Sequence, residues 1–240
     1  MRTLGVLGGM SWESTAVYYR LLNQGVARRR GGLRSAPLLL HSFDFESVAQ
    51  LQRAGDWAQA ARTLGRAAKS LREAGAQGLL VATNTMHLVA EPVQEAAGIP
   101  LLHIADAAGR ALHGAGHTRV GLLGTRFTME QPFLRDHLVQ RHGVEAVPPE
   151  ADDREAVHRV IFEELCRGLV RDESRAAYLA VIERLAARGC TAVLLACTEI
   201  GLLLPPETAS ALPMFDTTVL HAEAAVEWIC TPDDPEKETR

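Results

Sequence analysis

Three apolar segments of this 240-residue chain recur, in the same order, in its second half. Leu4-Gly5-Val6-Leu7-Gly8-Gly9-Met10 returns as Val120-Gly121-Leu122-Leu123-Gly124-Thr125, Gly78-Leu79-Leu80-Val81-Ala82-Thr83-Asn84-Thr85 as Ala192-Val193-Leu194-Leu195-Ala196-Cys197-Thr198-Glu199, and Ile99-Pro100-Leu101-Leu102 as Leu212-Pro213-Met214-Phe215. The offsets are 116 for Gly5 and Gly121, 114 for Thr83 and Cys197, and 113 for Pro100 and Pro213. Such near-constant spacing marks a duplicated half and restricts the fold to two similar units. Two related halves facing each other would set the Thr83 hydroxyl opposite the Cys197 thiol across one cleft. That is the geometry of two-sided proton transfer at carbon.

Apolar strand-length runs alternate with helical stretches, the βαβ signature of parallel sheets covered by helices. The expected fold is therefore α/β, with two similar parallel-sheet domains related by a pseudo-two-fold and the active site in the cleft between them. Strands are expected at Leu4–Leu7, Ala36–Ser42, Gly78–Ala82, Val120–Leu123 and Ala192–Ala196. Helices are expected at Trp12–Arg28 with Ser11 as N-cap, Trp57–Ala74, Met129–Arg141, Asp152–Arg167, Glu173–Gly189 and His221–Cys230. The first half is assigned residues 1–108, with a C-terminal helix at 217–230 packing back on it. The second half is assigned 109–216, and 231–240, polar and Pro-containing, a frayed tail.

At 47% apolar residues the chain can bury a full core, and its longest apolar runs fall well short of the roughly 20 residues a membrane span needs. Its start enters a strand pattern without a signal-peptide core, so a cytoplasmic location and no membrane partner are expected. A net charge of −4 without a basic stripe argues against nucleic acid. The four cysteines, Cys166, Cys190, Cys197 and Cys230, have neither metal-type pairing nor disulfide density. Nor do the nine histidines present a ligand set: His113 and His117 flank glycines in what reads as a turn, and His87, His103 and His221 read as satisfied structural residues. No metal is expected.

In such sheets ligands bind beyond the carboxyl ends of the strands. Gly8-Gly9-Met10-Ser11, Thr83-Asn84-Thr85, Gly124-Thr125 and Cys197-Thr198-Glu199 all fall there, and their exposed backbone N–H groups would receive an anion such as a carboxylate. Small and hydroxyl residues after strands are also ordinary turn and cap residues; four such segments in two related halves favour a site. Cys197 is the sharpest candidate, because a helix N-terminus lowers a thiol pKa from its usual value of about 8.5. Cys166, Cys190 and Cys230 read as structural.

The Leu4–Thr15 opening, Thr83-Asn84-Thr85, Cys197-Thr198-Glu199 and Phe215-Asp216-Thr217-Thr218 together resemble the aspartate/glutamate racemase family over nearly the whole chain, to about Cys230. The resemblance implies a cofactor-independent isomerase, commonly homodimeric, in which a cysteine from each half moves the Cα proton of an amino acid with a dicarboxylic or polar side chain. It makes Cys197 the second-half acid/base and Thr83 the occupant of the first-half cysteine position, with Met10, Gln52, Asn84, Thr85, Thr198 and Glu199 lining the pocket. The Cys-Thr-Glu form is closer to the aspartate racemase branch. Independently, the two lysines, Lys69 on an amphipathic helix and Lys237 in the tail, argue against a pyridoxal phosphate Schiff base, and no dinucleotide or phosphate-loop motif is present. Arg53 and Arg126 lie near pocket segments, but arginine supplies 23 of the 25 basic residues, so such proximity says little.

Thr83 departs from the family pattern, since a hydroxyl is barely ionised near neutral pH and serves at best as a positioned proton donor. It keeps two other readings open: a one-cysteine decarboxylase or isomerase of the same superfamily, and a weakly catalytic amino-acid-binding protein.

Overall fold

The computed structural model describes residues 1–231. Of the expected tail at 231–240, everything after Thr231, Lys237 included, lies outside the described residues. In chain order the elements are β1 (Leu4–Gly8), α1 (Trp12–Arg30), β2 (Leu38–Ser42), α2 (Phe45–Ala54), α3 (Trp57–Glu73), β3 (Gly78–Val81), a 3-10 turn (Thr85–Val89), α4 (Ala90–Ala97), β4 (Leu101–Leu102) and α5 (Ile104–Gly114). There follow β5 (Arg119–Gly124), α6 (Arg126–Glu130), α7 (Pro132–His142), β6 (Glu145–Val147), α8 (Ala151–Glu163), a 3-10 turn (Leu165–Arg167), α9 (Asp172–Ala187), β7 (Ala192–Ala196), α10 (Ile200–Leu203), β8 (Met214–Asp216) and α11 (Thr217–Cys230).

The strands form two four-stranded parallel sheets, ordered β2-β1-β3-β4 and β6-β5-β7-β8. Adding four to each strand number of the first order gives the second, so the sequence repeat is a repeat of topology: its three segments are β1/β5, β3/β7 and β4/β8. All residues of β1, β3 and β7 are buried, as expected for strands covered on both faces.

The described residues divide into two compact units. The first holds residues 1–82, 89–102 and the chain from Ala222 on; the second holds 83–88 and 103–221. Helix α5 thus belongs to the second unit, while α11 starts in the second and continues into the first. The first unit packs Leu4, Val6, Tyr18, Leu22 and Leu80 against Ala225, Val226 and Ile229 of α11. Its helix α3 buries Ala60, Leu64, Ala67, Ala68 and Leu71, a helical stripe, and is capped by the Asp56 carboxylate accepting from Gln59 N–H. The second unit's core runs from Leu122 and Leu123 through Leu134, Leu138, Ile161 and Tyr178 to Leu194 and Leu203. Each fully buried leucine contributes about 2 kcal/mol.

Three expectations are corrected. The helix over Met129–Arg141 is two helices, broken at Gln131 (φ −73°, ψ 144°), because Pro132 at the first position of α7 excludes helical backbone from the residue before it. The helix over Asp152–Arg167 ends at Glu163, and Glu164 (φ −121°, ψ −69°) turns the chain into the 3-10 segment. The second strand starts at Leu38 rather than Ala36 and ends, as expected, at Ser42. Phe45–Ala54 is α2, with Val48, Ala49 and Gln52 on its buried side.

Candidate active site

The β1–α1 turn is built around Gly9 at φ 81°, where a Cβ would stand 2.2 Å from the Phe43 carbonyl oxygen, so the turn requires glycine. Ser11 caps α1, its hydroxyl accepting from Ser14 N–H. Gly9 N–H donates to Thr15 Oγ1 at 2.8 Å, and the Thr15 hydroxyl donates to the Ser11 carbonyl. The amides of Gly9 and Ser14 are therefore spent inside the turn, and the expected Gly8–Ser11 anion cradle loses that of Gly9. Met10 and Gln52 of this first unit are 3% and 5% exposed.

The remaining candidates all belong to the second unit. Thr83 and Asn84 follow β3 and are 8% and 3% exposed. The Thr83 backbone is pinned by His87, whose Nδ1–H donates to its carbonyl at 2.8 Å while Nε2 accepts from Ile104 N–H at 3.2 Å. These two partners fix the His87 tautomer. Asn84 is fixed in the same manner: Thr217 spends its hydroxyl proton on the Leu195 carbonyl (2.9 Å), so its oxygen must accept, and it accepts from Asn84 Nδ2 at 3.0 Å. The amide cannot be turned round without placing two acceptors together. That leaves Asn84 Oδ1 as a buried acceptor with no hydrogen-bond partner among the described residues. Thr85 is turned away into a triangle of hydroxyls with Thr125 and Thr128, 3.1 to 3.4 Å apart.

Cys197 follows β7 and is 6% exposed. Its Sγ–H donates to Glu199 Oε2 at 3.1 Å, and the Thr198 hydroxyl donates to the same oxygen at 2.8 Å. Burial pushes the Cys197 thiol well above its ordinary pKa, and the Glu199 carboxylate pushes it further up. The Glu199 backbone N–H, which favours thiolate, opposes both. The expected lowering by a helix N-terminus is overturned. The helix that follows, α10, is a single four-residue turn with little dipole, and a carboxylate sits on the sulfur. At rest Cys197 is a protonated thiol with a proton acceptor in contact.

Arg53 and Arg126 are engaged elsewhere, paired at 2.5 Å with Glu46 and Glu155. Sequence reasoning missed Thr217 as the residue that orients Asn84, although Asp216-Thr217-Thr218 had been singled out. It also missed the Asp106–His137–His142 cluster described below.

Duplicated β-β-β-β order, a thiol and a hydroxyl at matching strand ends and a carboxylate on the thiol define a two-domain α/β protein of the racemase type. A family model for Asp/Glu/hydantoin racemases matches residues 7–225, and the chain belongs to that family. A candidate Asp/Glu racemase from Yersinia pestis is 49% identical over 96% of this chain and 100% of its own, with a TM-score of 0.89. An aspartate racemase homologue from Pyrococcus horikoshii is 29% identical over the same shares, with a TM-score of 0.82. The aspartate racemase of Picrophilus torridus shares the fold at 19% identity, covering 99% of this chain and 98% of its own, with a TM-score of 0.69. Among the described residues no helix is long and apolar enough to cross a membrane.

Proposed function

We propose that the chain is a cofactor-independent racemase of aspartate or glutamate, in which Cys197 and Thr83 exchange the Cα proton. The observation that carries this reading is the Cys197–Glu199 contact. A Cα–H is a very weak acid, and its abstraction is favoured by a strongly basic thiolate. Glu199 supports such a base in two successive states: its carboxylate accepts the thiol proton, and once that proton has passed to solvent its restored charge keeps the thiolate basic. Asn84 Oδ1, buried, fixed in direction and lacking a donor, suits the α-ammonium group that every amino-acid substrate carries. Thr83 serves as proton donor on the opposite face.

The two faces are unequal, but the equilibrium is not affected. Enantiomers have equal free energy in water, so a poor second acid slows turnover in both directions and cannot make racemisation one-way. The single thiol is also the observation that keeps the decarboxylase reading alive, since one thiol suffices to protonate an enediolate from one face.

The test is incubation of the purified protein, without added cofactor, with L-Asp and L-Glu, and chiral chromatography of the products. D-product lost in Cys197→Ser supports the proposal. D-product undiminished in that variant, or carbon dioxide release from a malonate with no racemisation, overturns it.

A further inference from the structure

On the second unit, α5 and α7 bring three potential ligands together outside the strand-end segments. Asp106 Oδ1 accepts from His137 Nε2 at 2.6 Å and from His142 Nε2 at 3.0 Å, and the three ligand atoms lie within 4.8 Å of one another. The supporting packing is specific. The His103 ring stacks on His137 with centroids 4.0 Å apart and planes within 5°, fixing the His137 ring plane. Gly109, one helical turn after Asp106, is where His142 lies across α5: any Cβ there would stand 2.3 Å from the ring. The helix surface is thus cut away to admit the imidazole. The side chains of His137, His142 and Asp106 are 18%, 13% and 28% exposed, which leaves a path for a solvated ion.

We propose that Asp106, His137 and His142 form a binding site for a divalent transition-metal cation of the zinc class. Two imidazoles and one carboxylate are the donor set that zinc, cobalt and nickel take, whereas magnesium and calcium prefer all-oxygen shells. Bonds of about 2.0–2.1 Å in a tetrahedral site put ligand atoms about 3.3 Å apart, so the two edges to Asp106 must open by less than about 1 Å, and the edge between the histidines, at most 4.8 Å, must settle to the same value. The two Nε2 protons now shared with Asp106 are displaced: each ring either shifts its remaining proton to Nδ1 or, if doubly protonated, releases one to solvent. Three protein ligands leave further positions to water. The cation would brace α5 against α7 and takes no part in the proton transfer proposed above.

The full-length protein, stripped with chelator and dialysed, is titrated with Zn²⁺ by calorimetry and with Co²⁺ by visible absorption. The expected result is one saturable equivalent, weak Co²⁺ ligand-field bands without thiolate charge transfer, and at least tenfold weaker binding in His142→Gln and Asp106→Asn. Cys197→Ser should bind as wild type. Absence of a saturable equivalent, undiminished binding in both variants, or a thiolate charge-transfer band would overturn the site. Should His142→Gln fail to fold by circular dichroism, the near-isosteric Asp106→Asn and the wild-type Co²⁺ spectrum carry the test.

Discussion

Replacing Glu199 with glutamine removes both roles assigned to its carboxylate, and each role has its own readout. In the wild type one oxygen, Oε2, receives both the Cys197 thiol at 3.1 Å and the Thr198 hydroxyl at 2.8 Å. A glutamine amide oxygen in the same place still accepts hydrogen bonds, so folding stability should fall by no more than about 1–2 kcal/mol. It carries no charge and cannot take a proton. Loss of a positioned acid/base group slows reactions by roughly 10²–10⁴-fold, and Cys197 would have to surrender its proton to solvent instead. A kcat reduction of about 100-fold, equivalent to about 2.7 kcal/mol, is expected. The thiol should move in the other sense. With the second of its two main upward pressures removed and burial remaining, Cys197 should ionise at lower pH than in the wild type, though still above an ordinary cysteine. The assay pairs chiral chromatography of initial rates with the pH dependence of Cys197 alkylation. The expected pairing is an easier thiol to ionise and a slower enzyme. A kcat within twofold of wild type, or a thiol pKa unchanged or raised, would refute the role given to Glu199.

Thr217→Val keeps the shape of its side chain but leaves the Leu195 carbonyl and Asn84 Nδ2 without their bonds. KM should rise at least tenfold as Asn84 loses its fixed direction, with about 1–3 kcal/mol lost in denaturant unfolding; an unchanged KM would remove Asn84 from substrate binding. Gly109→Ala forces a Cβ into the His142 ring and should cost about 1–3 kcal/mol, read as a lowered melting temperature. Cys166 is pushed up to about 12 by burial and by Glu199. Its thiol stays protonated in the folded state while the unfolded one ionises, so its contribution to stability is intact below about pH 9 and is lost as pH rises toward 12. Cys166→Ser should flatten that alkaline decline by up to about 1.4 kcal/mol per pH unit in chemical denaturation; an equally steep profile would contradict the shift.

Much of the fold was legible because duplication is written in residues that burial constrains. The apolar runs of β1/β5 and β3/β7 are buried strands paired to one another within each sheet, and a strand of this kind tolerates few residue types. The break at Gln131 was missed, although Pro132 signals it: the continuous helical pattern over Met129–Arg141 was given more weight than the proline. Helix α2 went unassigned because it is ten residues long, buries only Val48, Ala49 and Gln52, and starts without a side-chain cap hydrogen bond from Asp44. The Cys197 environment failed for a different reason. A residue placed after a strand suggests a helix dipole, but sequence reveals neither that α10 lasts one turn nor that the Glu199 side chain folds back onto the sulfur two residues earlier. The histidine cluster was invisible because His137 and His142 are five apart on α7, off the usual four-residue ligand spacing, and their partner Asp106 lies on another helix, 31 residues before His137. Asn84 was named from its motif; that its amide is locked by Thr217 emerged only from the bonds.

The central claim is that two different groups, a thiol and a hydroxyl, serve the two faces of one carbon. It is tested most directly by running the reaction from L-Asp and from L-Glu in D₂O and following deuterium at Cα in both enantiomers at early times. The account predicts that the D-product carries deuterium from the first turnover while the remaining L-substrate keeps its protium, and that Cys197→Ser abolishes both product and label. Deuterium entering remaining substrate as fast as product would mean that one base serves both faces, and label exchange surviving in Cys197→Ser would take Cys197 out of the chemistry.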